Sequence, residues 1–251
     1  MDLLRFGMMT VRAAVDARRA FLSLVGFLAV LFLAALLFTG APAVAQAGGD
    51  AGADGARHIA MTLVAETDRP APGGTVMVAI AAVPERGWHG YWLNPGETGV
   101  APSANWTLPG GATADPLRYP VPRHLMVAGL MNYVYEGPYA LLATVHVPRG
   151  MAVGTALPVA VRLDYLVCSD SLCVPETAEL SLALTVGDGR VPPESRARFD
   201  AWRRALPAPV TTDGTWQRAG DRFRLSLPIP AGAAVGDVYF FPLTDGVLEY
   251  A

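Results

Sequence analysis

The fold is decided by one stretch, Leu157-Pro-Val-Ala-Val-Arg-Leu-Asp-Tyr-Leu-Val-Cys-Ser-Asp-Ser-Leu-Cys-Val-Pro-Glu176. From Leu157 to Val167 an apolar side chain occupies every second position, which is the period of a strand with one buried face. This alternation is the longest in the chain, and it leads directly to Cys168. The stretch therefore predicts a strand that ends at one cysteine, with the second, Cys173, just beyond a short turn.

Shorter runs on both sides of this strand show the same alternation. Pro and Gly separate the runs about every eight to twelve residues, a spacing typical of antiparallel all-β domains. The alternating apolar positions are Met61, Leu63 and Ala65; Val76, Val78 and Ile80; Leu141, Ala143, Val145 and Val147; and Leu180, Leu182 and Leu184. We therefore predict an all-β fold, an immunoglobulin-like antiparallel β-sandwich over residues 58–188.

Beyond this sandwich the pattern changes to that of a helix and then back to that of strands. Helical spacing over residues 193–205 predicts a short helical connector within residues 189–207. One side of this helix carries Ser195, Phe199, Trp202 and Leu206. Alternation then resumes at Phe223, Leu225 and Leu227, and again over residues 238–241 and 247–251 around an Asp245-Gly246 turn. We predict a partial second β domain over residues 208–251, cut short in the second strand of a hairpin.

The N-terminus has the pattern of an export signal. Four Arg precede an apolar run over residues 21–38, and small residues follow over residues 41–47. The run approaches membrane-spanning length, so an inner-membrane anchor is the alternative to a cleaved signal peptide. We predict the signal peptide or anchor over residues 1–47, a flexible linker over residues 48–57, and a periplasmic location for the rest.

The charge of the chain argues against one class of partner. The net charge is −3, and all nineteen basic residues are Arg, with no basic stripe. Nucleic-acid binding therefore has no electrostatic support. Contact with a membrane is expected only through the N-terminal segment or through a C-terminal part beyond this chain.

The two cysteines allow three interpretations from the residues alone. Four intervening residues leave room for a tight turn, and an exported pair is expected to rest as a disulfide or to be actively kept reduced. A bond that closes so short a ring stabilises by only about 2 kcal/mol in the chain-entropy model, which suits an exchangeable disulfide. A structural bridge in a non-catalytic binding domain stays open beside it. The third interpretation is a copper site, although no Cys-x-x-Cys or paired His accompanies the cysteines.

The charges near the pair refine the first interpretation. Asp164, Asp170 and Glu176 are the nearest charged residues, and negative charge opposes formation of a thiolate. The sequence therefore favours an exchangeable disulfide over a strongly acidic thiol.

Two segments between the predicted strands are rich in aromatic residues, Gly and Pro. In residues 87–99, Trp88, Gly90 and Trp92 share one face of a predicted strand, and His89, Tyr91 and Leu93 share the other. Residues 119–137 form a longer, more broken segment. Binding function tends to lie on such loops, while the tryptophans themselves are expected to pack in the core.

Four motifs, taken in their order along the chain, resemble those of a known protein family. They are Trp88-x-x-Tyr-Trp-x-Asn-Pro-Gly-Glu-x-Gly99, Trp106-x-Leu-Pro-Gly110, Tyr133-x-Tyr-Glu-Gly137 and Leu166-Val-Cys-x-x-x-x-Cys-Val-Pro-Glu176. Together they make residues 58–187 resemble the N-terminal periplasmic domain of the DsbD thiol:disulfide interchange (protein-disulfide reductase) family. The ScsB type, linked to suppression of copper sensitivity, is especially similar.

The resemblance implies a redox function without a cofactor or a metal. In this family an immunoglobulin-like domain relays electrons through its cysteine pair, here Cys168 and Cys173, which would be the catalytic residues. The implied partners are a thioredoxin-like electron-donor domain and periplasmic thioredoxin-fold acceptor proteins. No transmembrane conductor and no Cys-x-x-Cys thioredoxin motif follows in this chain, so the module is incomplete as a reductase.

The resemblance also implies a cap over the cysteines, at residues 124–132. We predict that Met126, Leu130 and Met131 shield the pair. The full predicted cap or partner-binding set is His124, Met126, Leu130, Met131, Tyr133 and Tyr135. The acidic cap residues of DsbD are absent from this chain, so acid-assisted proton transfer from the cap is not carried over. The order of the cysteine motif favours Cys168 as the attacking residue.

Overall fold

The computed structural model describes residues 57–209, 213–229 and 238–244, together with residues 232, 236, 246 and 249. The predicted signal peptide or anchor over residues 1–47, and all but the last residue of the predicted linker over residues 48–57, lie outside these residues. In the part of the chain that is described, no helix is both long and apolar enough to cross a membrane.

Strands dominate the described residues. In chain order they are β1 (Ile59–Ala65), β2 (Thr75–Pro84), β3 (His89–Gly96), β4 (Ser103–Thr107), β5 (Thr113–Ala114), β6 (Arg123–Val127), β7 (Leu130–Tyr135), β8 (Tyr139–His146), β9 (Ala156–Cys168), β10 (Cys173–Thr185), β11 (Thr215–Ala219) and β12 (Arg222–Ser226). A helix, α1 (Pro193–Ala205), lies between β10 and β11.

Two antiparallel sheets form the sandwich. The first has the strand order β1-β2-β8-β5, and the second has the order β10-β9-β3-β7-β6, with β4 also paired to β9. The predicted immunoglobulin-like β-sandwich is therefore confirmed. The long strands β9 and β10 pair along their whole length, from Cys168 opposite Cys173 to Ala156 opposite Thr185.

The core lies between the two sheets and is built from the alternating positions that define the strands. Leu157, Val159, Val161, Leu163 and Val167 of β9 are at most 1% exposed and face this core. The apolar positions predicted on β1, β2, β8 and β10 belong to the same cluster. Burying one such side chain stabilises the fold by about 1.5–3 kcal/mol.

Helix α1 packs on the outer face of the first sheet. Pro at the start of the helix fits a position whose N–H has no partner within the helix. Phe199 is fully buried there against Ala79, Ala140 and Leu142, the residues of β2 and β8 that point away from the main core. The Arg203 guanidinium bonds to Glu66 and so ties the helix to the end of β1. The predicted helix thus forms and is attached to the sandwich.

The residues after α1 depart in part from the prediction. Phe223 and Leu225 lie on the predicted strand, β12, which pairs with β11 as a hairpin. Residues 238–241 were predicted as a strand and form none. Tyr239 and Phe241 pack instead against the sandwich core. The predicted turn at Asp245 and the final strand fall largely outside the described residues, so the second β domain stays a prediction.

Candidate functional site

The two cysteines form a disulfide across the turn that joins β9 and β10. Cys168 ends β9, Cys173 begins β10, and the two are opposite each other with their Cα atoms 4.1 Å apart. The turn between them is held by the Ser169 N–H, which donates to the Leu172 carbonyl at 2.8 Å, and by the Leu172 N–H, which donates to Ser169 Oγ at 3.1 Å. The strand-ending cysteine and the tight turn predicted from sequence are both present.

The two cysteines differ in exposure. Cys168 is 1% exposed, whereas Cys173 is an exposed residue. Cys168 points to the outer face of the second sheet, because its neighbour Val167 faces the sandwich core. There it packs with buried Tyr91 and Val134 and with partly buried Leu125 and Leu166. A nucleophile from solution can thus approach Cys173, while Cys168 lies in an apolar setting.

His89 is the residue opposite Cys168 on the neighbouring strand, β3. Its side chain is buried, and its Nε2 atom lies 3.4 Å from the Tyr91 hydroxyl. Burial lowers the pKa of His89, while the carboxylates of Glu136 and Asp170 work to raise it. Burial likewise raises the pKa of Tyr91, against the effect of a hydrogen bond with Thr98. Both groups are therefore neutral at neutral pH.

The Asn-Pro-Gly-Glu-Thr-Gly motif holds the end of β3 against β7. The buried Asn94 accepts a hydrogen bond from Gly96 N–H through Oδ1, at 3.0 Å. Glu97 bonds to Met131 twice, through its N–H to the Met131 carbonyl at 2.8 Å and through Oε2 to the Met131 N–H at 2.6 Å. Gly99, with φ +93°, leaves space that the Tyr91 ring fills. The motif thereby fixes Tyr91 beside Cys168.

Glu176 anchors β10 three residues after Cys173. It accepts hydrogen bonds from the His58 N–H at 3.0 Å and from the Tyr165 hydroxyl at 2.7 Å, and the His58 ring lies 2.7 Å from Oε1. Burial acts to raise the pKa of Glu176, but the hydrogen bonds outweigh it, and the pKa lies below its usual value. Trp88 stacks on the His58 ring at 3.6 Å between centroids. The Pro-Glu end of the cysteine motif is therefore structural support.

The sequence pattern of one known family matches this arrangement. The family described as the N-terminal region of the thiol:disulfide interchange protein DsbD matches residues 60–185, half of the chain. The chain belongs to this family. No curated protein gives a match.

Two solved structures resemble this DsbD-family domain. The N-terminal periplasmic domain of ScsB from Proteus mirabilis aligns with a TM-score of 0.50 and 20% identity, over 66% of this chain and 62% of that chain. The N-terminal domain of Neisseria meningitidis DsbD in the reduced form aligns with a TM-score of 0.26 and 14% identity, over 53% of this chain and 89% of that chain. The first likeness shows a shared fold. The chain spans less than two thirds of that ScsB structure.

The predicted cap of this DsbD-family domain is the β6–β7 hairpin. Its turn lies at Ala128 and Gly129, so Met126 and Met131 are opposite each other at its tip. The tip is level with the Gly96 end of β3, whereas Cys168 is level with the His89 end. The two ends of β3 are seven residue-to-residue steps apart, which is up to about 23 Å.

The six predicted cap residues fall into three environments. Met126 and Leu130 are exposed, and Met131, Tyr133 and Tyr135 are buried in the sandwich core. His124 stacks on Tyr239 at 4.4 Å between ring centroids. The hairpin covers Cys168 through two other residues, Leu125 and Val134. Shielding by Met126, Leu130 and Met131 stays a prediction.

Sequence reasoning did not select His89, Leu125 or Val134 as site residues. The signal for His89 was present, because His89 and Tyr91 were predicted to share the face opposite Trp92. What was missing was the register that brings β3 beside β9. Among the described residues, no group of three or more His, Cys, Asp or Glu could hold a metal ion.

Proposed function

We propose that this DsbD-family domain is a periplasmic thiol–disulfide exchange module. It receives electrons from a thioredoxin-like donor domain and passes them to thioredoxin-fold acceptor proteins, acting as the substrate-facing part of a protein-disulfide reductase. The observation that carries the proposal is the unequal exposure of the two bonded cysteines, Cys173 exposed and Cys168 1% exposed. One sulfur is open to attack, and the other is a protected leaving group.

The exchange proceeds through a mixed disulfide at Cys173. A donor thiolate attacks the Cys173 sulfur, the Cys168–Cys173 bond breaks, and its electron pair leaves on the Cys168 sulfur, which takes up a proton. The donor's second thiolate then attacks the mixed disulfide and releases Cys173. The donor is oxidised to a disulfide, and the domain holds two thiols. An acceptor disulfide is reduced by the reverse sequence, beginning with attack by the Cys173 thiolate.

This assignment differs from the preference that the motif order gave. The order of the motif favours Cys168 as the attacking residue, whereas exposure favours Cys173. We adopt Cys173, because an incoming protein thiolate must approach in line with the bond, and the apolar cluster around Cys168 blocks that approach.

The surrounding structure also argues that the bond is not needed as a staple. Strands β9 and β10 are each 13 residues long and pair throughout. The bond between Cys168 and Cys173 closes a very short ring, so in the chain-entropy model it removes little entropy from the unfolded chain. Its position suits exchange better than stabilisation.

Single-cysteine variants test the proposal. The full chain with Cys168→Ser or Cys173→Ser is mixed with a thioredoxin that keeps only its first active-site cysteine, activated as a mixed disulfide with thionitrobenzoate. We expect Cys168→Ser, which keeps Cys173, to form the protein–protein disulfide at least tenfold faster. Equal rates, or a faster reaction of Cys173→Ser, would contradict the assignment.

We extend the proposal to copper tolerance on the resemblance of the motifs to the ScsB type. The acceptor would then be a thioredoxin-fold protein whose own cysteines act under copper stress. The test is whether the reduced chain reduces such an acceptor faster than it reduces a general disulfide isomerase. Equal rates would remove the link to copper and leave the exchange function intact.

A further inference from the structure

His89 and Cys168 are paired across two strands at the redox site. In an antiparallel ladder, residues directly opposite each other point to the same face with Cβ atoms about 4.5–5.5 Å apart. His89 is 3% exposed and Cys168 is 1% exposed, so the two side chains share a buried space. No step of the exchange described above uses this imidazole.

We propose that His89 is the proton partner of Cys168. It stabilises the Cys168 sulfur when that sulfur leaves as a thiolate, and it takes up the thiol proton when Cys168 must attack again. The inference rests on the proposed exchange function and assigns a residue that the cysteine motif does not contain.

The apolar surroundings of Cys168 create the need for such a partner. Tyr91, Val134, Leu125 and Leu166 pack around it. A thiolate released into an apolar environment is strongly disfavoured unless a hydrogen bond or a positive charge compensates it. His89 is the titratable residue placed opposite the sulfur, and an imidazole exchanges protons near neutral pH.

The groups around His89 suit a neutral imidazole that can be protonated transiently. Burial lowers its pKa, and the Glu136 and Asp170 carboxylates, at the end of β7 and in the β9–β10 turn, oppose that effect. The Tyr91 hydroxyl lies 3.4 Å from Nε2 on the same strand. Further charged residues lie on this face. Arg123 on β6 is opposite Val134, and Asp164 on β9 is engaged by Arg162 and Thr177.

His89 and solvent together account for the protons of both half-reactions. During reduction, His89 first takes up a proton from solvent, and the imidazolium transfers that proton to the Cys168 sulfur as the bond electrons arrive there, which returns the ring to its neutral form. During reduction of an acceptor, His89 removes the Cys168 proton, and the resulting thiolate attacks Cys173 in the mixed disulfide. The imidazolium that forms is stabilised by the nearby carboxylates until it releases its proton to solvent.

Two variants of the full chain test this. His89→Gln keeps a hydrogen-bond donor that cannot take up a proton, and His89→Phe fills the ring space with neither property. The control is His146→Gln. His146 is an exposed residue of β8 that contacts Asp115, and it lies away from the site. Reduction of each disulfide by dithiothreitol is followed by alkylation and mass from pH 5 to pH 9. At each pH the wild-type rate is divided by the variant rate. The fraction of dithiothreitol present as thiolate is the same in both reactions, so its pH dependence cancels in this ratio.

We expect both His89 variants to be slower than the wild type by about tenfold or more, within the range of general acid–base effects. The rate ratio should rise as pH falls, because the imidazolium form becomes more populated, and the control should stay near one. A ratio that does not change with pH would show packing alone and would overturn the inference. Either variant suffices if the other fails to fold. If the folded wild type resists reduction altogether, the proposed function fails first, and this inference falls with it.

Discussion

Gly99 lies directly against the ring of Tyr91. A Cβ atom at position 99 would lie 2.2 Å from Tyr91 Cε1, a distance that no real contact shows, and the backbone there has φ +93°. Tyr91 in turn packs on Cys168 and contacts His89. The last residue of the Asn-Pro-Gly-Glu-Thr-Gly motif is therefore coupled to Cys168 of the disulfide through one aromatic ring.

Gly99→Ala should destabilise the domain and displace Tyr91. Positive φ alone costs about 1–3 kcal/mol for a residue other than Gly, and the clash with the ring adds to it. Gly154→Ala is the matched control, because Gly154 has φ +89° and a Cβ there meets nothing within 4 Å. Urea unfolding gives the free energy of unfolding of both variants, and the difference between their losses is the cost of the clash with the Tyr91 ring. Equal losses of stability would show that Tyr91 moves aside freely.

The cover of Cys168 can be tested on neighbouring residues of one hairpin. Leu125→Ala removes a side chain packed in the Cys168 cluster, so we expect alkylation of reduced Cys168 to become severalfold faster. Met126→Ala removes a side chain that is 54% exposed at the hairpin tip, and we expect no change. Peptide mapping after timed alkylation gives both rates. The reverse order would support the shielding by Met126 that the family resemblance implies.

Glu176→Gln should remove a pH-dependent part of the stability. The pKa of Glu176 is lower in the folded protein than its usual value of 4.5. Its contribution is therefore present above about pH 4.5 and is lost as pH falls toward the folded pKa. Hydrogen bonds to a charged group are worth about 1.5–3 kcal/mol, so the variant should lose roughly that amount at pH 7.

The control for Glu176 is Glu179→Gln on the same strand. Glu179 forms an ion pair with Arg162 at 2.9 Å, and because both side chains are exposed, water screens the pair and it contributes little to stability. The free energy of unfolding of each variant is measured at pH 7 and at pH 3. Only Glu176→Gln should show a large loss at pH 7 that becomes smaller at pH 3. A loss for Glu176→Gln that is the same at both pH values would contradict the role of its charge.

Most of the fold could be predicted because each strand carries its own signal. The alternation from Leu157 to Val167 is local, and all of its apolar positions face the core. The helix over residues 193–205 is equally local, since proline fits its first turn and Phe199 and Leu206 mark its buried side.

What could not be predicted depends on contacts between distant residues. Residues 238–241 alternate as a strand would, yet Tyr239 and Phe241 find aromatic partners in Tyr133 and His124 and do not pair as a strand. The surroundings of Cys168 also depend on contacts between distant residues. His89 lies opposite Cys168 only because β3 pairs with β9. The register of two strands that are not consecutive cannot be predicted from the sequence of either strand alone.

The central claim is that the Cys168–Cys173 bond exchanges in the folded protein. The most direct test equilibrates the purified full chain in dithiothreitol and glutathione redox buffers and reads the cysteine state by alkylation and mass. We predict a reduction potential above about −300 mV, the upper range of structural disulfides, with reduction complete while the domain stays folded. A potential below that value, or a bond that is reduced only when the domain unfolds, would show a structural staple and contradict the account.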